Sequence, residues 1–332
     1  MKPEDVRDRC LLALFPSGGV VVNLDTGNYF RLDAGAAKIF EVLVEAGVAD
    51  PGAEVARRLR IPPERAQADV AEACAAFAVA PARSTPAGPY HFYPDPAGYG
   101  LWHDGKPVLV LSAPDFEISV AAEGDIVRSP LLELYVRALA PKIMFLRGLT
   151  VMHAAACAAD GALIAFAGLS GAGKTTTARA FNTAGATLLS EDLTVLQISD
   201  DRPAFVLGAE ARVHAWARDA SRELARGAPR VSSRELATMA DGATVALSAV
   251  YFLDARRRQG ADFKLTTMPP ADGLLSLMTH DFLGAASREG WRRFFATAAT
   301  IAASTRLVEI TAPLGVDSLL AAAKRQMSNW AS

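Results

Sequence analysis

One short segment constrains the fold of this chain more than any other: residues 168–175, GLSGAGKT. The apolar residues 163–167, LIAFA, precede it as a predicted strand, and residues 176–181 continue it as a helix-forming run. The segment matches the pattern G-x-x-x-x-G-K-[ST] in full, in the strand–loop–helix context that the pattern requires. The sequence therefore predicts an α/β fold with a phosphate-binding loop.

Each residue type in this loop has a chemical reason. Glycines leave out the Cβ atoms that would keep backbone N–H groups away from a phosphate. Lys174 supplies a mobile positive charge for the β- and γ-phosphates of ATP, and Thr175 supplies a hydroxyl for Mg²⁺. The helix that begins near Lys174 adds the positive end of its dipole. The predicted nucleotide-binding residues are Gly168, Ser170, Gly171, Ala172, Gly173, Lys174, Thr175 and Thr176.

Two adjacent carboxylates follow the next predicted strand. Residues 185–190, GATLLS, end in Glu191 and Asp192. At the C-terminal end of a strand beside a phosphate loop, one carboxylate can help to hold Mg²⁺ and the other can take the proton from an attacking hydroxyl. The spacing leaves open which of the two has which role. We expect Asp192 and Thr175 as metal ligands, and Glu191, Asp192 and Lys174 among the catalytic residues.

His153 lies in the first strand of a predicted hairpin made of residues 151–158 and 162–167. If these two segments pair, His153 is carried to the edge of the phosphate loop. A lone histidine is more often structural than functional, so spacing alone makes His153 a weak catalytic candidate.

The first 80 residues predict a separate small domain. Residues 19–24 and 29–32 flank the turn sequence DTGN, which is a hairpin signal. Asp33 can cap a following helix, and two further helices are expected near residues 52–59 and 63–80. Residues 81–98 are rich in proline and predict a linker. We therefore expect domains at 1–80 and 99–332.

Composition excludes several classes of function. Of the 332 residues, 51% are apolar and 21% charged, and the net charge of −2 offers no general attraction to nucleic acid or to an anionic membrane. The three cysteines are odd in number and far apart in sequence, which indicates neither a disulfide framework nor a zinc site. No apolar run reaches the length of a membrane span. These features predict a cytoplasmic protein without a membrane or nucleic-acid partner.

The central motifs resemble the catalytic core of HPr kinase/phosphorylase. The segments HAAA at 153–156, AFAGLSGAGKTT at 165–176 and GATLLSED at 185–192 occur in the order found in that family. The resemblance covers roughly residues 130–315 and implies a serine kinase that uses ATP and Mg²⁺, with the P-loop fold shared with phosphoenolpyruvate carboxykinase. It also implies that His153 is the active-site histidine and that Asp192 is the second acid of the pair. Glu191 stands where the family usually has Asp.

Residues 20–43, VVVNLDTGNYFRLDAGAAKIFEVL, resemble the PqqD-like domain of ribosomal peptide pathways. This resemblance covers about residues 10–80 and implies a small winged-helix-like α+β domain. It implies that a leader peptide adds as a strand to the edge of the small sheet, against the third helix. Together the two resemblances predict a leader-guided kinase that phosphorylates a Ser or Thr hydroxyl of a precursor peptide or protein. Whether the chain forms a homo-oligomer is left open by the sequence.

Two alternatives stay open at this point. The enzyme could be a small-molecule kinase whose N-terminal domain is only structural. The phosphate loop could instead belong to a nucleotide-dependent binding switch in a biosynthetic complex, and such a switch does not need a general base at Asp192.

Overall fold

The computed structural model describes residues 2–26, 28–78, 90–95, 98–103, 106–112, 116–121, 125–199, 202–253, 263–279, 288–311 and 316–327. These residues form two units. The first contains residues 1–85, 268–279 and 287–303, and the second contains the rest of the chain. Each unit is described separately.

In the first half of the chain, groups of helices alternate with groups of strands. They are α1 (Pro3–Arg9), β1 (Cys10–Phe15), β2 (Gly18–Asn23), β3 (Tyr29–Leu32), α2 (Ala34–Val44), α3 (Pro51–Leu59), α4 (Pro63–Ala78), β4 (Tyr90–Asp95), β5 (Gly98–His103), β6 (Lys106–Ser112), β7 (Glu117–Val120), α5 (Leu132–Leu146), β8 (Thr150–Met152), β9 (Ala154–Ala159) and β10 (Ala162–Ala167).

The second half begins at the helix that follows the phosphate loop. Its elements are α6 (Lys174–Thr183), β11 (Thr187–Ser190), β12 (Thr194–Ser199), β13 (Arg202–Val206), α7 (Ala209–Ala225), α8 (Arg234–Ala237), β14 (Thr244–Ala246), β15 (Ala249–Leu253), β16 (Lys264–Thr267), α9 (Pro270–Thr279), α10 (Arg288–Ser304), β17 (Arg306–Thr311) and α11 (Val316–Met327).

The first unit is built on a three-stranded antiparallel sheet in the order β1-β2-β3. The predicted hairpin is confirmed as β2 and β3, and the predicted helix cap is confirmed because the side chain of Asp33 accepts a hydrogen bond from Ala36 N at 2.8 Å. Strand β1 was not predicted, because its six residues follow a charged segment and show no clear alternation. It gives the sheet a third strand and leaves β3 at the opposite edge.

A helix from far along the chain packs on this small sheet. Helix α9 contacts β1, β2 and β3, and so does α2. All six residues of β2 are buried, so both faces of the sheet are covered. Arg31 on β3 also donates to the Asp272 carboxylate of α9 at 2.6 Å. The packing of α9 on the sheet was not predicted, because α9 lies more than 200 residues downstream of β3.

The second unit contains the phosphate loop in a six-stranded sheet with the order β11-β9-β10-β15-β17-β16. Strand β10 is parallel to β15 and antiparallel to β9. Helices α6 and α11 contact each other beside this sheet. Mixed strand directions around a strand–loop–helix unit, with a small α+β unit before it, confirm the predicted fold class.

Two further sheets complete the second unit. One has the order β14-β13-β12-β8, and helices α5 and α7 pack together next to it around a shared apolar cluster. The other is the meander β4-β5-β6-β7. Part of the expected linker at 81–98 thus forms β4 and the start of β5, because the segment YHFYPD is rich in aromatic residues, which favour strands. Residues 79–89 and 96–97 lie outside the described part of the chain.

Within the described residues, no helix is both long and apolar enough to cross a membrane.

The buried cysteines give a test of the fold. Burial raises the pKa of the Cys10 and Cys157 thiols to about 12. Because the thiolate is the nucleophile, we expect both thiols to resist alkylation at pH 8 in the native protein and to react once it is denatured. Thiol titration with and without denaturant measures this difference, and rapid native labelling of either residue would contradict the packing.

The same shift affects stability at high pH. Unfolded thiols titrate at about pH 8.5, whereas the folded thiols of Cys10 and Cys157 stay protonated to about pH 12. A raised folded-state pKa stabilises the fold below the unfolded value, and this contribution is lost as the pH rises towards 12. We expect the denaturation midpoint to decrease as the pH is raised from about 8.5 to about 10.5, because the unfolded thiols lose their protons in this range. The decrease should be smaller in Cys157→Ala.

Candidate active site

The phosphate loop leaves β10 and enters α6 with a backbone that needs glycine. Gly173 lies in the left-handed region at φ +89° and directly precedes α6. At Gly168 a Cβ atom would lie 3.1 Å from the carbonyl oxygen of Leu253, so this position admits no larger residue without a shift of β15. Ala172 is buried, whereas Ser170 and Thr176 are exposed. The loop therefore has the tight backbone that phosphate binding requires.

Lys174 is buried at the start of α6 and held against the loop. Its Nζ donates to the carbonyl oxygens of Gly168 at 2.9 Å and Leu169 at 3.2 Å. Burial lowers the pKa of Lys174, and the nearby charge of Asp192 partly offsets that effect. A buried ammonium group beside the N-terminus of a helix attracts a phosphate chain strongly, because little solvent screens its charge.

His153 reaches the loop through the pairing of β9 with β10. Ala154 lies opposite Ala167 in this antiparallel pair, so the residue before Ala154 is next to the start of the loop. The predicted hairpin is confirmed for residues 154–159 and 162–167, whereas residues 150–152 form β8, which pairs with β12 in another sheet. His153 Nε2 lies 3.3 Å from Asp192 Oδ1. Its pKa is lowered mainly by burial and also by Lys174, while Asp192 acts in the opposite direction.

The two acidic residues differ in their surroundings. Glu191 forms a two-point ion pair with Arg179 of α6, with distances of 2.9 and 2.8 Å, and the hydrogen bond from Arg179 lowers the pKa of Glu191. Asp192 instead faces His153 and has a side chain that is 54% exposed. Neither the ion pair nor Arg179 was anticipated from the sequence, since no spacing rule links a helix residue to a strand end.

The acidic turn also touches the loop. The Thr175 hydroxyl donates to the carbonyl oxygen of Glu191 at 3.1 Å. This contact brings the predicted metal ligands Thr175 and Asp192 into one neighbourhood. A hydroxyl and one carboxylate suit Mg²⁺, which keeps phosphate oxygens and water as most of its ligands. In the described part of the chain, no group of three His, Cys, Asp or Glu side chains is placed to bind a metal.

Comparisons with known proteins address the two units separately. Residues 18–78 match the PqqD family, coenzyme PQQ synthesis protein D. This match confirms the resemblance of the N-terminal region. No curated protein matches the chain.

Among solved structures, the chain is similar to the Hpr(Ser) kinase/phosphatase from Coxiella burnetii. The match has 11% identity and a TM-score of 0.26, and it covers 54% of this chain and 96% of that chain. At this TM-score the likeness carries no weight for the site, whose assignment rests on the loop and the distances around it.

Lys174 allows a direct test of nucleotide binding. We expect Lys174→Ala to weaken binding of ATP·Mg²⁺ by about 10- to 150-fold, because a hydrogen bond to a charged group contributes roughly 1.5–3 kcal/mol. The fold should persist, since the Lys174 ammonium group bonds only to carbonyls of its own loop among the hydrogen bonds described above. Isothermal titration calorimetry measures the affinity. Lys106→Ala, at an exposed lysine of the same unit, serves as control, and equal affinities in both variants would contradict the assignment.

Proposed function

We propose that this protein transfers the γ-phosphoryl group of ATP·Mg²⁺ to a Ser or Thr hydroxyl of a peptide or protein. The observation that supports this most is the 3.3 Å contact of His153 with Asp192 next to a complete phosphate loop. A site that only binds nucleotide needs the loop and the metal. It does not need a carboxylate paired with a histidine at the same edge.

The reaction assigns one role to each group. Asp192 accepts the proton of the acceptor hydroxyl as its oxygen bonds to the γ-phosphorus, and the bond between that phosphorus and the β,γ-bridging oxygen of ATP breaks. The products are a phosphorylated hydroxyl and ADP. Lys174 and the loop N–H groups stabilise the charge on the phosphoryl oxygens. When bound, Mg²⁺ supplies further neutralisation of the phosphate charge.

The surroundings of Glu191 and Asp192 support different roles for the two carboxylates. Glu191 is engaged by Arg179, which makes it a poor proton acceptor because its pKa is lowered. Among the described residues no arginine is paired with Asp192, which lies beside His153, so we assign the general base to Asp192. His153, with its lowered pKa, is mostly neutral at pH 7, and it can orient Asp192 without adding a second positive charge beside Lys174.

The acceptor is proposed to be a leader-bearing precursor peptide. In the first unit a groove of about 620 Å³ lies along the edge strand β3, between α2 and α4. Its lining is mostly apolar, with Phe30, Ile39, Phe40, Ala73 and Phe77, and it also includes charged residues such as Arg65, Asp69 and Glu72. An extended peptide that pairs with β3 would place alternate side chains into such a groove.

The groove is also held in shape by the structure around it. The side-chain amide of Asn23, at the end of β2, donates to the carbonyl oxygen of Phe77 at 3.0 Å, which ties the end of α4 to the sheet. Phe77 in turn packs on Phe40 with ring centroids 5.7 Å apart. On α4, Ala73 and Phe77 line this groove, whereas Val70 lines a different one beside α3. A preformed groove lowers the entropic cost of binding an extended peptide.

The decisive experiment is incubation with ATP·Mg²⁺ and precursor peptides encoded nearby, followed by mass measurement for one added phosphoryl group. A small-molecule kinase would leave every peptide unmodified and would not bind the leader. A binding switch would bind ATP and hydrolyse it slowly without transfer to any acceptor.

The two carboxylates give a prediction about turnover. We expect Asp192→Asn to lower kcat by about 10²- to 10⁴-fold, the usual contribution of a general base. Glu191→Gln should lower it by less than about 5-fold, because an exposed ion pair contributes little. Steady-state kinetics of both variants measures the difference. Equal losses in both, or a larger loss in Glu191→Gln, would move the general base to Glu191.

The groove gives a prediction about KM. Ala76 lines the groove and is exposed, so Ala76→Arg should obstruct the leader without disturbing the core. We expect KM for the full precursor to rise by about 10-fold or more with little change in kcat, because leader binding is the same in the ground and transition states. KM for a leaderless core peptide should stay unchanged.

Ala68→Arg is the matched control for this experiment, since Ala68 is an exposed alanine of the same helix that does not line the groove. If both variants behave alike, or if Ala76→Arg affects the leaderless peptide equally, the groove does not bind the leader and the first unit is structural.

A further inference from the structure

The turn between β11 and β12, which carries the acidic pair, directs three consecutive backbone N–H groups at one side chain. The N–H of Glu191 donates to Glu210 Oε2 at 2.8 Å. The N–H groups of Asp192 and Leu193 donate to Glu210 Oε1 at 2.8 and 2.9 Å. Both oxygens of one carboxylate are therefore used to hold a single three-residue turn.

This arrangement is strong for its size. Successive N–H groups that converge on one point form a concave site for an anion, and a carboxylate there makes charge-assisted bonds. Such bonds are about twice as strong as neutral ones. The three N–H groups would otherwise be bonded to water, which does not fix the direction of a turn. Glu210 therefore restricts the backbone on both sides of the Asp192 Cα atom.

Glu210 itself is fixed by a rigid element. It is the second residue of α7, whose inner side buries Val213, Trp216 and Ala217 in the apolar cluster shared with α5. The indole N–H of Trp216 also donates to the carbonyl oxygen of Ser232 at 3.1 Å. The carboxylate is thus attached to a helix that has little freedom to move, and the turn is positioned relative to that helix.

Other contacts hold the ends of the turn and one carbonyl within it, because the Thr175 hydroxyl donates to the carbonyl oxygen of Glu191 at 3.1 Å. The hydroxyls of Ser190 and Thr194 lie 3.1 Å apart, and Thr194 donates to the carbonyl oxygen of Ala154 at 2.9 Å. Because Ala154 follows His153, this bond relates the histidine to the far end of the turn. The Asp192 side chain is half exposed, so packing does little to hold it. Glu210 provides the contacts to the N–H groups on both sides of the Asp192 Cα atom.

We propose that Glu210 is a positioning residue that sets the place of the Asp192 carboxylate between His153 and the phosphate loop. This inference rests on the proposed function, because it assigns Glu210 an effect on turnover through Asp192. Glu210 has no direct part in the chemistry. A displacement of a reacting group by about 1 Å can lower a rate by about 10²-fold, so a clamp on the turn has a measurable effect.

Glu210→Gln is the sharpest variant. The amide keeps one oxygen acceptor but turns an NH₂ group towards an N–H donor, so at least one of the three bonds is lost at nearly unchanged volume. Glu223→Gln is its control, because Glu223 is an exposed glutamate of the same helix. Circular dichroism and thermal melting of both variants establish that each is folded.

Amide hydrogen exchange tests the clamp whatever the reaction is. We expect the N–H groups of residues 191–193 to exchange about 10-fold faster or more in Glu210→Gln than in the wild type, as local opening becomes easier. Exchange in the same turn should be unchanged in Glu223→Gln. Unchanged exchange in Glu210→Gln would overturn the proposal.

A double-mutant cycle tests the effect on turnover. We expect Glu210→Gln to lower kcat by about 10- to 100-fold with KM for ATP changed by less than about 3-fold. In the Asp192→Asn background the same change should cost less than about 2-fold, because Glu210 acts through Asp192. A full additional loss in that background, or an unchanged kcat together with faster exchange, would overturn the positioning role.

The two failures are distinguishable. If the wild-type protein phosphorylates no peptide or protein, the proposed function fails and the turnover role of Glu210 fails with it. The exchange measurement still decides whether Glu210 holds the turn. If the wild type is active and Glu210→Gln is equally active, only the positioning role fails.

Discussion

The antiparallel pairing of β9 with β10 is the constraint on which the candidate site depends. Its register sets Ala154 opposite Ala167, so the chain that enters β9 passes the point where β10 gives way to the phosphate loop. A slip of one residue would turn His153 to the other face of the sheet, because side chains alternate along a strand. The parallel partner β15 supplies the second restriction, since a Cβ atom at Gly168 would lie only 3.1 Å from the carbonyl oxygen of Leu253 and β15 would have to shift slightly to admit it.

The acidic turn depends on two sheets at once. Strand β11 belongs to the six-stranded sheet, and β12 belongs to the four-stranded sheet that contains β8. The turn that connects them is short and partly exposed, and such a connection would be expected to vary in position. Hydroxyl bonds from Thr194 and the carboxylate of Glu210 limit that variation. The electrostatic consequence is that Asp192 stays near Lys174 and His153, where its charge acts to raise the pKa of both against the lowering by burial.

The parts of this site that follow from local sequence could be predicted, and the parts that follow from long-range packing could not. The glycine loop with Lys174 and the acidic pair are each encoded in a short stretch of sequence, and the two strands of the β9–β10 hairpin are adjacent along the chain. The pairing of Glu191 with Arg179 depends instead on how α6 packs beside β11. Glu210, the second residue of α7, was not predicted as part of the site. No local pattern indicates which turn a helical glutamate will bind.

The first unit illustrates the same limit on a larger scale. The PqqD match covers residues 18–78, yet two elements outside that range belong to the same unit: β1 is the third strand of the sheet, and α9 packs on the sheet. Because α9 covers the sheet and bonds to Arg31 through Asp272, a cut near residue 80 would expose apolar surface on both fragments. Removal of the first 80 residues is therefore a poor test of peptide recognition, since loss of activity would follow from the exposed surface alone. The packing of α2 and α9 on the sheet also restricts where a peptide can bind. Because both faces of the sheet are occupied, an added strand has access to the β3 edge and the groove beside α4.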